Sequence, residues 1–251
     1  YGVPQKRKRF FILASKDSQI DVSQTPVETT PDKEVTVKDA FIDIPEVIAN
    51  TWTENPNYLK EESEYTRLMK NDSFWKRITK EKKLLNHLPM NHRKNILERF
   101  TILQQGEGLK GLFERLTAEE LAEYQSRKVI PKTIYVKRNY RLKWDEASPT
   151  VTSHCLDEFV HPVQPRALTV RECARLQSFP DSYDFVGGKY LTAHDNREEQ
   201  DKYEQIGDAD ARVIAALSGR YHVVMDIPQS AYSQFDNSEE AKIVLVPGAQ
   251  T

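Results

Sequence analysis

The sequence predicts an α/β protein in which a buried strand is followed by several short helices. Phe10 to Leu13 form a continuous apolar run of strand length, and such a run is typical of a strand buried on both faces of an α/β sheet. Two capping boxes, Thr117 to Glu120 and Thr169 to Glu172, each predict the start of a helix. Strand and helix signals in one chain indicate a mixed architecture.

Residues 1–64 carry one strand signal and one helix signal, separated by polar segments. Residues 1–16 are expected to form a loop with a basic tip and then the strand, and the polar residues 17–34 a loop or linker. Residues 35–50 carry a short helix signal that stops near Pro45, and the polar residues 51–64 are expected to be irregular.

Helical patterns dominate the middle of the chain. Residues 65–104 show two of them, broken by Pro89, and in the second one Ile96, Leu97, Phe100 and Leu103 recur at helical spacing. The two capping boxes start a helix at about 118–126 and another that runs to about Gln177. Asp208 is expected to cap a last helix at 209–218.

Residues 127–144 have a different character, because cations alternate there with aromatic residues. Enrichment in Val, Ile and Tyr predicts strands, and the interleaved pattern predicts a surface that faces DNA. An ordinary solvated pair of strands is the alternative interpretation. The candidate DNA-binding residues are Lys132, Lys137, Arg138, Tyr140, Arg141 and Lys143.

Composition excludes several classes of protein. The chain has 251 residues with a net charge of -2, so its total charge does not indicate a nucleic-acid binder. Its two cysteines, Cys155 and Cys173, are too few for a disulfide scaffold, which fits a reducing compartment. No apolar run approaches the roughly 18 residues needed to span a bilayer, so no membrane partner is expected. His87 and His92 lack partners at metal-ligand spacing, so no metal is expected and both are interpreted as surface or polar contacts.

Three strings carry a family resemblance. They are YGVPQKRKR at residues 1–9, RALTVRECARLQSFPD at 166–181 and YEQIGD at 203–208. In this order they resemble the eighth, ninth and start of the tenth sequence motifs of DNA (cytosine-5)-methyltransferases. Two weaker echoes, VTVKDAFIDIP at 35–45 and WDEASPTVT at 144–152, resemble further segments of that family. The ninth-motif string is the most specific of the five.

The resemblance implies a fold and a division into domains. It implies a partial Rossmann-like S-adenosylmethionine-dependent methyltransferase sheet together with a small mixed α+β target-recognition domain. Residues 1–16 would belong to the catalytic domain and 17–165 to target recognition, while 166–225 would return to the catalytic domain and 226–251 would form a tail. Because Tyr1 opens inside a motif, we expect a C-terminal fragment, or one piece of a longer or split protein.

The resemblance also assigns roles in the chemistry. The family flips a cytosine out of the duplex, a cysteine thiolate attacks C6, and C5 takes the methyl group of S-adenosylmethionine. Arg9 is expected to reach the cytosine O2, with Arg7 as its support and Gln5 supporting the base pocket. Arginine suits this role because it stays charged and holds its donors in a rigid fork. The alternative is that the cations are merely solvated beside a strand.

The ninth motif has an architectural role in the family, where its helix docks the recognition domain. Its residues here are Arg166, Thr169, Arg171, Glu172, Arg175 and Gln177. One helix face is expected to pack, while Arg171, Glu172 and Arg175 pair locally. Cys173 lies inside this helix rather than in a Pro-Cys loop, so it is expected to be a buried structural thiol, and Cys155 is expected to be structural or incidental.

The tenth motif implies a cofactor contact through Gly207, Asp208 and Ala209. The family normally has Asn where this chain has Asp208, and Val-Pro-Pro where it has Asp210-Ala-Arg. The departure removes an amide donor and adds a negative charge. It therefore favours a second hypothesis, in which the chain is a non-catalytic DNA-binding or regulatory subunit of a split or decayed methyltransferase.

The cofactor loop, nucleophile loop and Glu-Asn-Val motif of the family have no match in the sequence. The chain alone is therefore expected neither to bind S-adenosylmethionine tightly nor to methylate DNA. Its expected partners are duplex DNA, the missing N-terminal catalytic half in cis or in trans, and a cognate restriction endonuclease. The family's usual restriction–modification setting implies a cytoplasmic protein of bacterial or phage origin.

Overall fold

A computed structural model describes residues 2–7, 33–51, 56–71, 83–134, 138–152, 155–187 and 202–207. Short helices are the main regular secondary structure of this part, and two strands of two residues pair in parallel, with Tyr140 opposite Phe159 and Arg141 opposite Val160. The strand predicted at 10–13 and the helix predicted at 209–218 lie outside the described residues. The elements are α1 (Val37–Phe41), α2 (Glu64–Met69), α3 (Lys94–Ile102), α4 (Leu109–Arg115), α5 (Ala118–Ser126), β1 (Tyr140–Arg141), α6 (Cys155–Glu158), β2 (Phe159–Val160), α7 (Val170–Leu176) and α8 (Lys202–Gly207).

Local hydrogen bonds explain where several helices begin. The side chains of Thr117 and Thr169 accept hydrogen bonds from the backbone N–H groups three residues later, as the capping boxes predicted. Equivalent boxes at Thr36 and Ser63 start α1 and α2. The expected helix at 118–126 is confirmed, and the ninth-motif helix ends at Leu176, one residue before the predicted end.

The prediction of strands over 127–144 is mostly wrong. Among the described residues of this stretch, only Tyr140 and Arg141 form a strand. Val129 and Ile130 instead turn back from the end of α5 and are buried against the helices. Their apolar side chains are buried by packing against helices. Their β propensity therefore does not decide the backbone conformation.

Two hydrophobic clusters form the core. The larger one contains residues from both sides of position 165, where the sequence predicted a boundary between target recognition and the returning catalytic part. The smaller one joins α3, α4 and α5, and Phe100 and Leu103 of the predicted helical pattern are buried in it. The domain boundaries themselves stay a prediction. Among the described residues, no helix is both long enough and apolar enough to cross a bilayer.

Every side chain of α7 is buried, including its charged ones. Arg175 donates to both carboxylate oxygens of Asp181 at 2.6 Å and to Asp43 at 3.0 Å. Arg166 forms a two-pronged contact with Glu172 at 2.8 and 2.6 Å. The expectation of local pairing among Arg171, Glu172 and Arg175 is therefore wrong, because their main partners come from outside the helix.

Backbone carbonyl groups accept the remaining donors of these arginines. Arg171 donates to the carbonyl oxygens of Leu85 at 2.9 Å, Pro180 at 3.1 Å and Tyr183 at 2.5 Å. Burial alone would raise the pKa of Glu172, but the Arg166 guanidinium outweighs it and holds that pKa far below its usual range. The α7 helix is thus bound by charge-assisted contacts to loops far away in the sequence.

Two buried histidines, His87 and His161, lie around α7, and a third, His92, is half-buried. His87 hydrogen bonds with Thr169 Oγ1 and the Pro45 carbonyl, both at 2.9 Å, and the ring of His161 stacks on Phe41. Burial lowers the pKa of His87 and of His92 from 6.5 to about 4, and that of His161 to about 3. The interpretation of His87 as a surface contact is wrong, whereas its polar contacts are confirmed.

Replacing Arg175 with Met should destabilise the fold by about 3–5 kcal/mol, because Asp43 and Asp181 would remain buried without their cation. Urea unfolding followed by circular dichroism measures the change. Arg67→Met is the matched control, since Arg67 is exposed and its loss should cost less than about 0.5 kcal/mol. Equal effects of the two substitutions would contradict the assigned role of Arg175.

Stability should fall as the pH decreases from 6.5 to about 4. In this window the unfolded chain protonates its histidines, whose ordinary pKa is 6.5, while the folded chain keeps His87, His92 and His161 neutral. Each histidine lowers the free energy of unfolding by up to about 1.4 kcal/mol for each pH unit of this decrease. Above pH 6.5 these histidines no longer make the free energy of unfolding depend on pH. Urea unfolding at a series of pH values measures the slope of the free energy of unfolding against pH. His92→Gln should reduce this slope by the contribution of one histidine. An unchanged slope would refute the assignment for His92.

Candidate nucleic-acid interface and base-facing site

The N-terminal segment, residues 2–7, lies along residues 148–152, which we call the joining segment. The Lys6 N–H donates to the Ser148 carbonyl at 2.8 Å, and the Ser148 N–H donates to the Pro4 carbonyl at 3.0 Å. Thr150 Oγ1 donates to the Lys6 carbonyl at 3.0 Å. These bonds form a short parallel bridge at Gln5 and Ser148, so the segment that leads to Arg9 has a defined path.

The Val151 peptide group is the centre of this arrangement. Its N–H donates to Gln5 Oε1 at 3.3 Å, and its carbonyl oxygen accepts from Arg7 Nη1 at 3.4 Å and from Gln177 Nε2 at 3.5 Å. Gln5 also donates to the Leu176 carbonyl at 3.1 Å. Side chains from the eighth-motif and ninth-motif strings therefore meet at one peptide unit of the joining segment.

The far end of the joining segment is held by a buried carboxylate. Glu158 at the end of α6 accepts the Thr152 N–H at 3.1 Å and the Thr152 hydroxyl at 2.7 Å. Because the N-terminal segment binds one end and Glu158 the other, the joining segment is fixed along its length. The sequence did not single out Glu158 or Ser148, although Ser148 lies within the echo at 144–152.

The α8 helix brings the tenth-motif string to the same core. Tyr203 is buried and donates its hydroxyl hydrogen bond to the Leu168 carbonyl at 3.0 Å. Gln177 Nε2 donates to the Ile206 carbonyl at 3.2 Å, next to Gly207, the last residue of α8. The sequence analysis predicted no helix at Lys202–Gly207, so it missed α8. Arg9, Asp208 and Ala209 lie outside the described residues.

Both cysteines are fully buried in the larger cluster. Burial raises the pKa of Cys173, and a raised pKa disfavours the thiolate that a nucleophile requires. Cys155 Sγ donates to the Tyr203 carbonyl at 3.5 Å, which ties α6 to α8. The prediction of a buried thiol at Cys173 is confirmed. No cluster of three or more metal-binding side chains occurs among the described residues.

Arg141 does not face solvent, so its expected position on a DNA-facing surface is wrong. It is buried, and its guanidinium donates to the carbonyl oxygens of Phe100 and, at 2.8 Å, of His161. Burial lowers the pKa of Arg141, and its contacts bind β1 to α3 and to the residue after β2. Tyr140 is half-buried and packs against the larger cluster, so only part of its side chain is accessible.

Three of the candidate DNA-binding cations are exposed. They are Lys132, Arg138 and Lys143, whereas Lys137 lies outside the described part of the chain. Arg138 pairs with Asp157 at 3.2 Å, and Lys143 pairs with Glu146 at 2.6 Å. Exposed pairs of this kind are weak, so both cations can exchange a carboxylate for a phosphate at low cost.

A family model described as C-5 cytosine-specific DNA methylase matches residues 1–213. The match covers most of the chain and includes the N-terminal segment, the joining segment, α7 and α8. The chain belongs to the C-5 cytosine-specific DNA methylase family.

Individual relatives agree with this assignment. The Type II methyltransferase M.DdeI of Desulfomicrobium norvegicum is 29% identical over 225 residues, which cover 88% of this chain and 51% of the relative. The Type II methyltransferase M.AgeI of Thalassovita gelatinovora is 30% identical over 280 residues, covering 88% of this chain and 62% of the relative. DNA (cytosine-5)-methyltransferase 3 of Zea mays is 27% identical and covers 87% of this chain. The chain spans about half to three-fifths of the length of the two bacterial relatives.

Proposed function

We propose that this chain is the C-terminal portion of a DNA (cytosine-5)-methyltransferase, which transfers the methyl group of S-adenosylmethionine to C5 of a flipped cytosine in duplex DNA. The observation that carries the proposal is the junction at Val151, where Gln5, Arg7 and Gln177 meet. In the family assigned above, these positions belong to the eighth and ninth motifs. Their convergence supports a base-facing wall at the start of the chain.

The chemistry that the proposal asks of this wall is electrostatic. Attack at C6 builds electron density on the pyrimidine ring and its O2, and a fixed cation near O2 stabilises that density in a dry site. Arg7 is half-buried, and its Nη1 faces the Val151 carbonyl, so we assign it a supporting role. Arg9 is the residue that we propose reaches O2, because alternate residues of an extended segment point the same way.

The methyl donor would be bound mainly by the upstream half of the enzyme. Within this chain, Gly207, Asp208 and Ala209 are the residues that we propose approach it. Gly207 ends α8, whose Ile206 carbonyl is held by Gln177, so the described contacts tie that end of the helix to the base-facing wall.

We assign the recognition of DNA to the exposed cations within residues 132–143, which we call the β1 region. Lys132, Arg138 and Lys143 would contact phosphates, which position the duplex without reading its sequence. Lys137 and the accessible part of Tyr140 remain in the proposed set, and Arg141 is withdrawn from it because it is buried. The partners that we propose are duplex DNA, the upstream catalytic half and a cognate restriction endonuclease.

A second candidate function is a non-catalytic DNA-binding or regulatory subunit. Asp208 and the Asp210-Ala-Arg string favour it, because they depart from the family's tenth motif beside the proposed cofactor site. The two candidates differ in one requirement, since only the enzyme needs an intact Pro-Cys nucleophile loop upstream of Tyr1.

Methyl transfer should require the upstream half. With tritiated S-adenosylmethionine and duplex DNA, the purified chain should give no turnover, and adding the upstream half in trans should restore it. Arg9→Ala should then lower kcat by about 100- to 1000-fold, the usual cost of removing a donor that stabilises a developing oxyanion. Arg67→Ala, on an exposed face of α2, is the matched control and should leave the rate unchanged. Turnover by the chain alone, or full activity of Arg9→Ala, would refute this assignment.

Binding of the chain to DNA should depend on the three exposed cations. Replacing Lys132, Arg138 and Lys143 with Gln should reduce the salt dependence of binding, because each lost phosphate contact lowers the logarithmic slope by about 0.9. Fluorescence anisotropy of labelled duplex DNA at several KCl concentrations measures that slope.

A second triple variant controls for charge alone. Lys60, Arg67 and Lys110 are exposed elsewhere on the chain, and their replacement with Gln removes the same charge. This variant should keep the original slope. If both variants weaken binding equally, the β1 region is not the DNA-facing surface.

A further inference from the structure

We infer that Gln177 is a positioning residue, whose amide ties the Val151 peptide to the end of α8 and thereby sets where the Arg7 guanidinium lies. This role deepens the proposed methyltransferase function and rests on it. The residue lies directly after α7, as its C-cap, and its side chain is half-buried. It would act on Arg7 through the Val151 carbonyl oxygen, to which both side chains donate.

Two glutamine amides perform parallel tasks at this junction. Gln5 Nε2 donates to the carbonyl of Leu176, the last residue of α7, at 3.1 Å. Gln177 Nε2 donates to the carbonyl of Ile206, in the last turn of α8, at 3.2 Å. The final carbonyl groups of a helix have no partner within it, so each amide satisfies one of them. Each amide also contacts the Val151 peptide, so both helix ends are tied to the same point.

The Val151 carbonyl explains how Gln177 acts on Arg7. A carbonyl oxygen has two lone pairs, and here one side chain donor comes from Gln177 at 3.5 Å and another from Arg7 at 3.4 Å. Without Gln177, the peptide would lose its tie to α8 and could shift with the Arg7 side chain. A displacement of about 1 Å near a reacting centre can cost about 100-fold in rate.

Long hydrogen bonds such as these contribute little to the free energy of unfolding. The larger cluster and the buried ion pairs of α7 would keep the fold intact without them. Loss of the Gln177 amide should therefore affect the rate of methyl transfer far more than the melting temperature. That asymmetry separates a positioning role from a purely structural one.

The test uses Gln177→Met, which keeps the side-chain length and removes the donor. It is made in the naturally occurring polypeptide, with the upstream half supplied in trans if that half is a separate chain. We expect kcat to fall by about 10- to 100-fold. KM for duplex DNA should stay within about twofold, because phosphate contacts rather than this junction determine DNA binding. Gln104→Met is the matched control, since Gln104 is an exposed glutamine that lies outside the three motif strings; its kcat should match the unsubstituted protein.

Hydrogen exchange of this chain supplies a readout that does not require activity. In Gln177→Met the amides of residues 2–7 and 148–152 should exchange faster, while the exchange of those of α3 to α5 should not change.

A kcat of Gln177→Met within twofold of the unsubstituted protein, or equal losses of kcat in Gln177→Met and in its control variant, overturns the positioning role. If the unsubstituted protein transfers no methyl group, the proposed function fails and the catalytic part of this role with it. Unchanged exchange at 2–7 refutes the tie to Arg7 in either case.

Discussion

Arg175 is fully buried between Asp43 and Asp181, and the rest of the described structure depends on this contact. Burial alone would lower the pKa of the guanidinium, but the two carboxylates outweigh that effect and raise it. Charges this deep are tolerated only when all partners are present, so the contact fixes α7 against α1 and against the loop after α7. At the other end of α7, the ion pair between Arg166 and Glu172 fixes the first turn of the helix against the segment that precedes it.

The rigidity of α7 determines where the N-terminal segment and α8 lie. Its last carbonyl binds Gln5, and the residue after it binds Val151 and Ile206. The N-terminal segment and α8 are therefore positioned by one helix, although about 200 residues separate them in the chain. Under the proposed function, the arginine wall and the cofactor edge are held relative to each other by this architecture. The ninth motif would then serve catalysis without touching the reacting atoms.

Local sequence signals predicted the two helices that begin at Thr117 and Thr169 well because their causes are local. Each capping box needs only two residues three positions apart, and both predicted boxes start helices. The failures concern contacts that are distant in sequence. Arg141 belongs to a run of cations, but its carbonyl partners, Phe100 and His161, lie 41 and 20 residues away. No periodicity could indicate that such a cation is buried.

The same reason explains what was missed at the site. The partners of Arg175 lie in the echo at 35–45 and at the end of the ninth-motif string, so the resemblance contained them without showing that they meet. The roles of Val151 and Glu158 depend on a backbone group and on a carboxylate that no motif includes. The order of the motifs along the chain predicted the family, whereas the junction required the folded structure.

Under the proposed function, the start of this chain forms one wall of a pocket for an extruded cytosine. The decisive experiment is a crystal structure of the chain with its upstream half, bound to duplex DNA that contains 5-fluorocytosine. We expect the Arg9 guanidinium to lie within hydrogen-bond distance of the cytosine O2, about 2.7–3.2 Å, with Arg7 against the Val151 carbonyl. Arg9 in open solvent, with the cytosine bound elsewhere, would contradict it.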